Sequence, residues 1–107
     1  MSDIIDVDTL KRTLREFARE REWSKFHSPK NIAMALACET GELLEILQWM
    51  TEQDSLLIKE DLALKEKISH ELADILLYIV QMADVLAIPL NQAIKQKIQL
   101  NRLKYPT

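Results

Sequence analysis

The sequence predicts an all-α fold, and three features support that prediction. Among 107 residues there are one Gly and three Pro, whereas β-sandwiches and barrels need many turn residues for their reversals. Apolar residues recur at spacings of three and four, which is the period of an amphipathic helix. Hydrophobic residues make up 48% of the chain and charged residues 29%, which is typical of a folded globular chain.

Charge and apolar runs argue against two classes of partner. The 14 Lys and Arg are outnumbered by 17 Asp and Glu, a formal net charge of −3, so no overall basic field attracts nucleic acid. The longest apolar runs, such as 75–80, are far shorter than the ~20 residues of a membrane span. We therefore expect neither nucleic acid nor a membrane as a partner.

The start of the chain and its cysteine content predict a cytoplasmic location. The N-terminal residues are acidic and lack the basic and apolar regions of a secretory signal. Cys38 is the one cysteine, so it has no partner for an internal disulfide. We expect it to be a small buried side chain on a helix.

The first predicted helix covers about 8–22. Asp6 or Asp8 can cap its N-terminus. Its apolar stripe consists of Leu10, Leu14 and Phe17.

The second predicted helix begins after a break in the pattern, with Ser28 as N-cap and Pro29 in the first turn. It continues to about Met50. Its apolar stripe consists of Ile32, Leu36, Leu43 and Leu47. Gly41 lies in the middle, where glycine costs about 1 kcal/mol relative to Ala, so we expect close approach of another helix or a ligand there.

The second half of the chain predicts two more helices. The polar segment 51–59 is expected to be a loop or short turn, followed by a long helix at about 60–87. Pro89 ends that helix, and a fourth helix covers about 90–103. No repeat or composition shift divides the chain, so residues 1–107 are predicted to form one domain, an antiparallel four-helix bundle. Apolar residues on more than one face of the second and third helices indicate further burial against another subunit.

Two pairs of acidic residues lie on these helices at i, i+3 spacing. They are Glu39 with Glu42, and Glu71 with Asp74, so each pair shares one helical face. Glu39 and Glu71 border the apolar stripes, where crowded acids repel one another unless a cation neutralises them. Four carboxylates from adjacent helices would offer the hard oxygen ligands that Mg²⁺ or Mn²⁺ takes.

Spacing alone leaves another interpretation of these pairs open. They can be ordinary surface acids that pair with Lys67 or Lys97. A ferritin-like di-iron bundle is excluded, because it needs Glu-x-x-His motifs and His70 merely precedes Glu71.

Four segments, taken together in order and spacing, resemble the MazG-like nucleotide pyrophosphohydrolases. They are His27-Ser28-Pro29-Lys30-Asn31, Glu39-Thr40-Gly41-Glu42-Leu43-Leu44-Glu45 with Gln48-Trp49, Glu71-Leu72-Ala73-Asp74 to Tyr78, and Lys97 to Pro106. Within that family the chain is most similar to the small dCTP pyrophosphatase branch. The resemblance covers roughly 22–106.

The resemblance implies an all-α NTP pyrophosphatase fold and a homodimer or homotetramer with sites at subunit interfaces. It also implies Mg²⁺-dependent hydrolysis of a nucleoside triphosphate to the monophosphate and pyrophosphate, with Mn²⁺ as a possible substitute. We expect dCTP or a modified dCTP as substrate, and a role in clearing unwanted nucleotides.

Roles for individual residues follow from the same resemblance. The metal ligands are expected to be Glu39, Glu42, Glu71 and Asp74. Glu45 is a further ligand or a base, so that Glu39, Glu42 and Glu45 form the catalytic set. Residues expected to hold phosphates or sugar are Tyr78, Lys97, Asn101, Arg102 and Tyr105. Aromatic residues and a histidine expected around the base are Trp23, Phe26, His27 and Trp49.

Two alternatives to dCTP hydrolysis remain. One is a related all-α pyrophosphatase with another base preference, such as dUTP or dATP, because pocket shape decides base selectivity. The other is a helical oligomerisation module without enzymatic activity, in which the acidic residues are ordinary exposed side chains.

Overall fold

A computed structural model describes residues 5–107 as five α-helices and two short 3₁₀ turns. The helices are α1 (Val7–Glu20), α2 (Pro29–Leu47), α3 (Glu52–Leu56), α4 (Leu62–Val85) and α5 (Leu90–Lys104). The 3₁₀ turns are Ser24–Phe26 and Ile58–Glu60. These residues contain no strand, and the all-α prediction is confirmed.

The ends of α1 are set by a cap and a tight closing turn. The Asp6 carboxylate accepts a hydrogen bond from the Thr9 backbone N–H at 3.0 Å. At the other end, the Trp23 N–H donates to the Ala18 carbonyl at 2.8 Å, and Glu22 takes a left-handed conformation with φ 57°. This Schellman-type closure ends α1 two residues before the predicted position and holds Trp23 beside the last turn.

The start of α2 is as predicted and its end is earlier. The Ser28 hydroxyl accepts from the Asn31 N–H at 3.1 Å, and Pro29 occupies the first turn. The helix ends at Leu47 rather than near Met50.

One expectation for α2 is wrong, because Cys38 is exposed. At Gly41 no other helix of the described chain comes close, since an added Cβ would meet nothing within 4 Å. The reason is that α2 packs chiefly through one face, against α4, and its other faces stay open.

The segment between α2 and α4 is more ordered than its polar composition predicted. Thr51 caps α3 by accepting from the Asp54 N–H at 3.0 Å, and Glu52 and Asp54 lie in the first turn, where negative charge favours a helix. A cap and favourable charges are therefore enough to form one short helix.

The central helix is α4, because both α2 and α1 pack against it. The Asp61 carboxylate caps it by accepting from the Leu64 N–H at 3.2 Å. In the core, Val80 of α4 is 0% exposed and Ile32 of α2 is 2% exposed. The buried apolar residues are Val7, Ala18, Ile32, Val80 and Ala83.

A bidentate ion pair holds α1 against the C-terminal half of α4. Arg15 Nε and Nη2 donate to the two Asp84 carboxylate oxygens at 2.8 and 2.7 Å. Lys11 Nζ also donates to the Ile88 carbonyl at 3.0 Å, which ties α1 to the turn before α5.

The chain bends by 106° between α4 and the last helix, α5. Among residues 5–107 the close packing joins α1, α2 and α4, so the four long helices are present but α5 adds little to the core. Its apolar residues Ile94 and Ile98 are 48% and 47% exposed.

No single helix in the range 5–107 is long and apolar enough to cross a membrane. Only α4 and α5 taken together, across their bend, reach the required length and composition.

Replacing Ile32 by Ala should lower the free energy of unfolding by about 2–5 kcal/mol, because it leaves a cavity in the core. Ile5, which is 56% exposed, provides the matched control: Ile5→Ala should change stability by less than about 0.5 kcal/mol. Urea denaturation measures both, and equal losses would contradict the assigned core.

The Arg15–Asp84 pair should make stability depend on pH. Hydrogen bonds from Arg15 hold the pKa of Asp84 below its ordinary value of 3.8, so the stabilisation is present above that value and disappears as the pH falls through the lowered pKa. We expect the melting temperatures of wild type and Asp84→Asn to differ at neutral pH and to converge in acid.

Thermal unfolding from about pH 7 to about pH 2 measures this convergence. Glu66→Gln, which neutralises an exposed carboxylate of α4, controls for the change in net charge. A difference between wild type and Asp84→Asn that persists unchanged in acid would contradict the role of the ion pair.

Candidate active site

Three carboxylates meet where α2 packs against α4. Oxygens of Glu39, Glu42 and Glu71 all lie within 4.8 Å of one another. Glu39 and Glu42 are one turn apart on α2, and Glu71 faces them from α4. We refer to these three residues as the carboxylate cluster.

Two oxygens of the carboxylate cluster are buried without a hydrogen-bond partner. They are Oε2 of Glu39 and Oε2 of Glu71. A buried acceptor without a partner costs free energy, and neighbouring carboxylates repel each other. Closely spaced hard oxygens with unused acceptor capacity fit a divalent cation such as Mg²⁺ or Mn²⁺.

The electrostatics of the cluster agree with this interpretation. Contact with the Glu71 carboxyl, then burial, then the charges of Glu42 and Asp74 raise the pKa of Glu39 from 4.5 to about 7. Without a cation, the cluster therefore keeps a proton close to neutral pH, and a bound cation would relieve the same repulsion.

A cavity of about 310 Å³ opens beside the carboxylate cluster. Glu39 and Asp74 form its acidic end. Its walls come from α1, from the segment between α1 and α2, and from α4. The lining residues are Leu14, Phe17, Ala18, Trp23, His27, Glu39, Asp74, Leu77, Tyr78 and Gln81.

Aromatic side chains form the apolar part of the cavity wall. Phe17 and Trp23 pack edge to face, with ring centroids 5.8 Å apart and planes at 67°. The Arg21 guanidinium lies 3.6 Å from the centroid of the Phe17 ring. Burial raises the pKa of the Tyr78 hydroxyl, and the charges of Glu39 and Asp74 add to that effect.

A polar pair also lies in the cavity wall. Gln81 Nε2 is 2.9 Å from His27 Nδ1, and both side chains are partly buried. The pair joins the segment before α2 to the middle of α4.

Most of the residues predicted at the acidic end and around the base come together. The cluster contains Glu39, Glu42 and Glu71, and the cavity beside it is lined by Asp74, Trp23, His27 and Tyr78.

The remaining predicted site residues lie outside the cluster and the cavity lining. Glu45 is exposed on α2, Trp49 is 88% exposed just beyond the end of α2, and Phe26 is also exposed. The four residues from the C-terminal segment are exposed as well: Lys97, Asn101, Arg102 and Tyr105. The bend before α5 is the reason, since it carries these residues away from the core formed by α1, α2 and α4.

The sequence analysis does not identify five of the lining residues, which are Leu14, Phe17, Ala18, Leu77 and Gln81. Leu14 and Phe17 are predicted there only as part of the apolar stripe of α1. A signal for Gln81 exists, because it follows Asp74 by seven residues and Tyr78 by three, which places it on the same face of α4.

The fold and the cluster together define an all-α protein with a candidate metal centre between two packed helices. Residues 34–107 match the model of the MazG-like family. The chain belongs to that family, which confirms the resemblance seen in its motifs.

The chain is also similar to proteins that are named as pyrophosphatases. The chain is 38% identical over 104 residues to dCTP pyrophosphatase 1 of mouse and to that of human, covering 94% of this chain and 59% of each relative. It therefore spans 59% of the length of these relatives. The crystal structure of a pyrophosphatase from Archaeoglobus fulgidus superposes with a TM-score of 0.81 at 35% identity, covering 100% of this chain and 98% of that one.

Replacing Glu71 by Gln should separate metal binding from stability. The variant removes one negative ligand, so affinity for Mg²⁺ and Mn²⁺ should fall at least about 10-fold. It also removes repulsion and adds an amide that can donate to Glu39, so the metal-free variant should melt at a higher temperature than the metal-free wild type.

Calorimetric titration with Mn²⁺ and thermal unfolding in EDTA measure the two effects. Glu66→Gln, at an exposed site on α4, should change neither. Unchanged Mn²⁺ affinity in Glu71→Gln would rule out the cluster as the metal site.

Proposed function

We propose that this protein hydrolyses deoxynucleoside triphosphates to the monophosphate and pyrophosphate in a Mg²⁺-dependent reaction, with dCTP or a modified dCTP as the favoured substrate. The observation that carries the proposal is the pair of buried carboxylate oxygens without partners, on Glu39 and Glu71, at the end of an aromatic cavity. Membership of the MazG-like family and the similarity to proteins named dCTP pyrophosphatase support it.

The acidic end of the cavity would hold the metal and the triphosphate. Glu39, Glu42 and Glu71 would be metal ligands, together with Asp74 at the edge of the cavity. Bound Mg²⁺ would neutralise charge on the phosphate oxygens and make the α-phosphorus more electrophilic.

The carboxylates of α2 would also orient the attacking water and accept its proton. A carboxylate within hydrogen-bond reach can orient that water and accept its proton. The water oxygen then bonds to the α-phosphorus while the bond from that phosphorus to the bridging oxygen breaks, and pyrophosphate leaves. Glu45, one turn beyond Glu42 on α2, is the further candidate for the base.

The aromatic part of the cavity would bind the base. A volume of about 310 Å³ is at the lower end of the range of small-molecule pockets. Trp23 and Phe17 offer ring surfaces for stacking, and Tyr78 and His27 offer polar groups near the sugar and base.

The remaining predicted contacts require an oligomer. We assign phosphate or sugar binding to Lys97, Asn101, Arg102 and Tyr105, and base contact to Trp49, all of which one chain leaves exposed. In a homodimer or homotetramer a second copy would supply them. Exposed apolar side chains on α2 and α5, such as Met34 and Ile98, support association of copies.

A cytoplasmic role in clearing unwanted nucleotides belongs to the same proposal. Hydrolysis of dUTP or dATP instead of dCTP would leave the metal chemistry intact and change only the base contacts. The exposed apolar faces favour oligomerisation as the alternative function, but that alternative gives no reason for two buried carboxylate oxygens without partners.

Neutralising the acidic residues one at a time tests the proposal. Glu39→Gln, Glu42→Gln, Glu71→Gln and Asp74→Asn should each lower kcat/KM for dCTP at least about 100-fold, because each removes negative charge from the metal site. Pyrophosphate release from purified protein, with Mg²⁺ and with excess EDTA, measures the activity.

Circular dichroism establishes that each variant is folded, and Glu66→Gln serves as the charge-matched control with unchanged activity. Full activity in all four variants would refute the metal-site assignment. Release of no pyrophosphate by the wild type from dCTP, dATP, dGTP, dTTP or dUTP would favour the oligomerisation module.

A further inference from the structure

The part of the cavity wall that α1 provides is held on α4 by little apolar packing. Leu14, Phe17 and Ala18 of α1 line the cavity. A second cavity of about 310 Å³ is also lined by Leu14 and Ala18, so these two side chains separate two spaces between α1 and α4. Within residues 5–107, Ala18 is the buried residue in the C-terminal half of α1. Because its side chain is small, it buries little apolar surface that could fix the position of the helix.

The Arg15–Asp84 ion pair lies in the wall of this second cavity. Arg15 Nε and Nη2 donate to the two Asp84 carboxylate oxygens at 2.8 and 2.7 Å, and the Asp84 side chain is 17% exposed. In the part of the chain that the structure describes, this is the side-chain hydrogen-bonded contact that joins α1 to α4. A bidentate pair fixes both the distance and the orientation of its two side chains. The pair therefore sets the spacing of α1 and α4 where apolar packing is sparse.

The ion pair is adjacent to the lining of the nucleotide cavity on both helices. On α1, Arg15 directly follows Leu14, which lines the cavity. On α4, Asp84 follows the lining residue Gln81 by three residues, a separation of about 4.5 Å along the helix. A change in helix spacing at the ion pair would therefore move the cavity walls as well.

The carboxylate cluster does not depend on the ion pair in this way. Its residues lie on α2 and α4, and those two helices share a core that contains Ile32 and Val80. Asp84 lies 13 residues beyond Glu71 on α4, which is about 20 Å along the helix. Loss of the ion pair should therefore alter the aromatic end of the cavity and leave the metal ligands in place.

Resting on the proposed function, we infer that Arg15 and Asp84 are positioning residues for nucleotide binding. Their ion pair holds Leu14 and Phe17 at the distance from α4 at which the nucleotide fits between the two helices. Among the described residues, neither member of the pair lines the nucleotide cavity. Both therefore act through the position of α1 and not by contact with the base.

The sign of the effect distinguishes this role from a direct effect of charge. A nucleotide is an anion, so removing the negative charge of Asp84 strengthens nucleotide binding if only the electrostatic field changes. Removing the same charge weakens nucleotide binding if the ion pair positions α1. Substitutions of Asp84 thus give opposite results in the two cases.

Binding of dCMP to Asp84→Asn, measured by calorimetry with Mg²⁺ present, tests the inference without requiring turnover. The dissociation constant should rise about 3- to 5-fold, which is the size of the contribution that a well-formed ion pair near the surface makes. The affinity for Mn²⁺, titrated without nucleotide, should stay unchanged. Hydrolysis of dCTP should show the same division, with a higher KM and an unchanged kcat.

Reversal of the ion pair makes the test specific to Arg15 and Asp84. Arg15→Glu and Asp84→Arg should each weaken dCMP binding more than Asp84→Asn does, because like charges then face each other. The double variant has an ion pair of reversed direction and the net charge of the wild type, and it should recover most of the affinity for dCMP. Arg12→Glu makes the same change of charge on α1 at a residue that contacts Thr9 of its own helix, and it should weaken binding much less than Arg15→Glu.

Equal or tighter binding of dCMP by folded Asp84→Asn or Asp84→Arg would overturn the inference. A double variant that binds dCMP no better than Arg15→Glu would also overturn it. Asp84→Asn preserves the size of the side chain, so it decides the question if the reversed variants fail to fold. A loss of Mn²⁺ affinity as large as the loss of dCMP affinity would contradict a positioning role, since it would indicate a general loss of structure.

A wild-type protein that binds no dCMP would overturn the inference as well. Pyrophosphate release from dCTP, measured in parallel, addresses the proposed function separately. If the wild type and the variants bind dCMP as expected but the wild type releases no pyrophosphate, only the hydrolysis proposal fails.

Discussion

The close approach of the buried Glu39 and Glu71 carboxyl groups is the constraint on which the proposed site depends. Packing of α2 on α4, with Ile32 and Val80 fully buried, brings the two carboxylates together and leaves one oxygen of each without a partner. Such an arrangement costs free energy on its own, and a divalent cation would offset that cost. Packing of the core therefore holds the carboxylate cluster together, although the cluster lowers the stability of the metal-free protein.

The apolar half of the cavity depends on α1. The left-handed Glu22 closes α1 so that Trp23 contacts Phe17, and the Arg15–Asp84 ion pair holds α1 on α4. The aromatic wall and the acidic end thus come from different parts of the chain and meet on the central helix. Docking of α1 is a condition for base binding in this account, while the carboxylate cluster needs only α2 and α4.

Local signals predicted the helices and the shared location of Glu39, Glu42 and Glu71. Caps such as Asp6 and Ser28 and the i, i+3 spacing of the acids act over one or two turns, which a sequence displays directly. Burial is not local: Cys38 follows the apolar stretch 32–37 of α2, yet the structure leaves it exposed. An apolar pattern does not distinguish burial within one chain from burial between copies. The sequence places Gln81 on the same face of α4 as Tyr78, but the contact of Gln81 with His27, 54 positions away, becomes visible only in the fold.

Crystals of the protein grown with Mn²⁺ and a non-hydrolysable dCTP analogue test the proposed metal site most directly. We expect an anomalous scattering peak within coordination distance of the unpartnered oxygens of Glu39 and Glu71, with the α-phosphate beside it and the base against Trp23. A peak elsewhere on the protein, or an ordered analogue with no metal at these carboxylates, would contradict the proposed site.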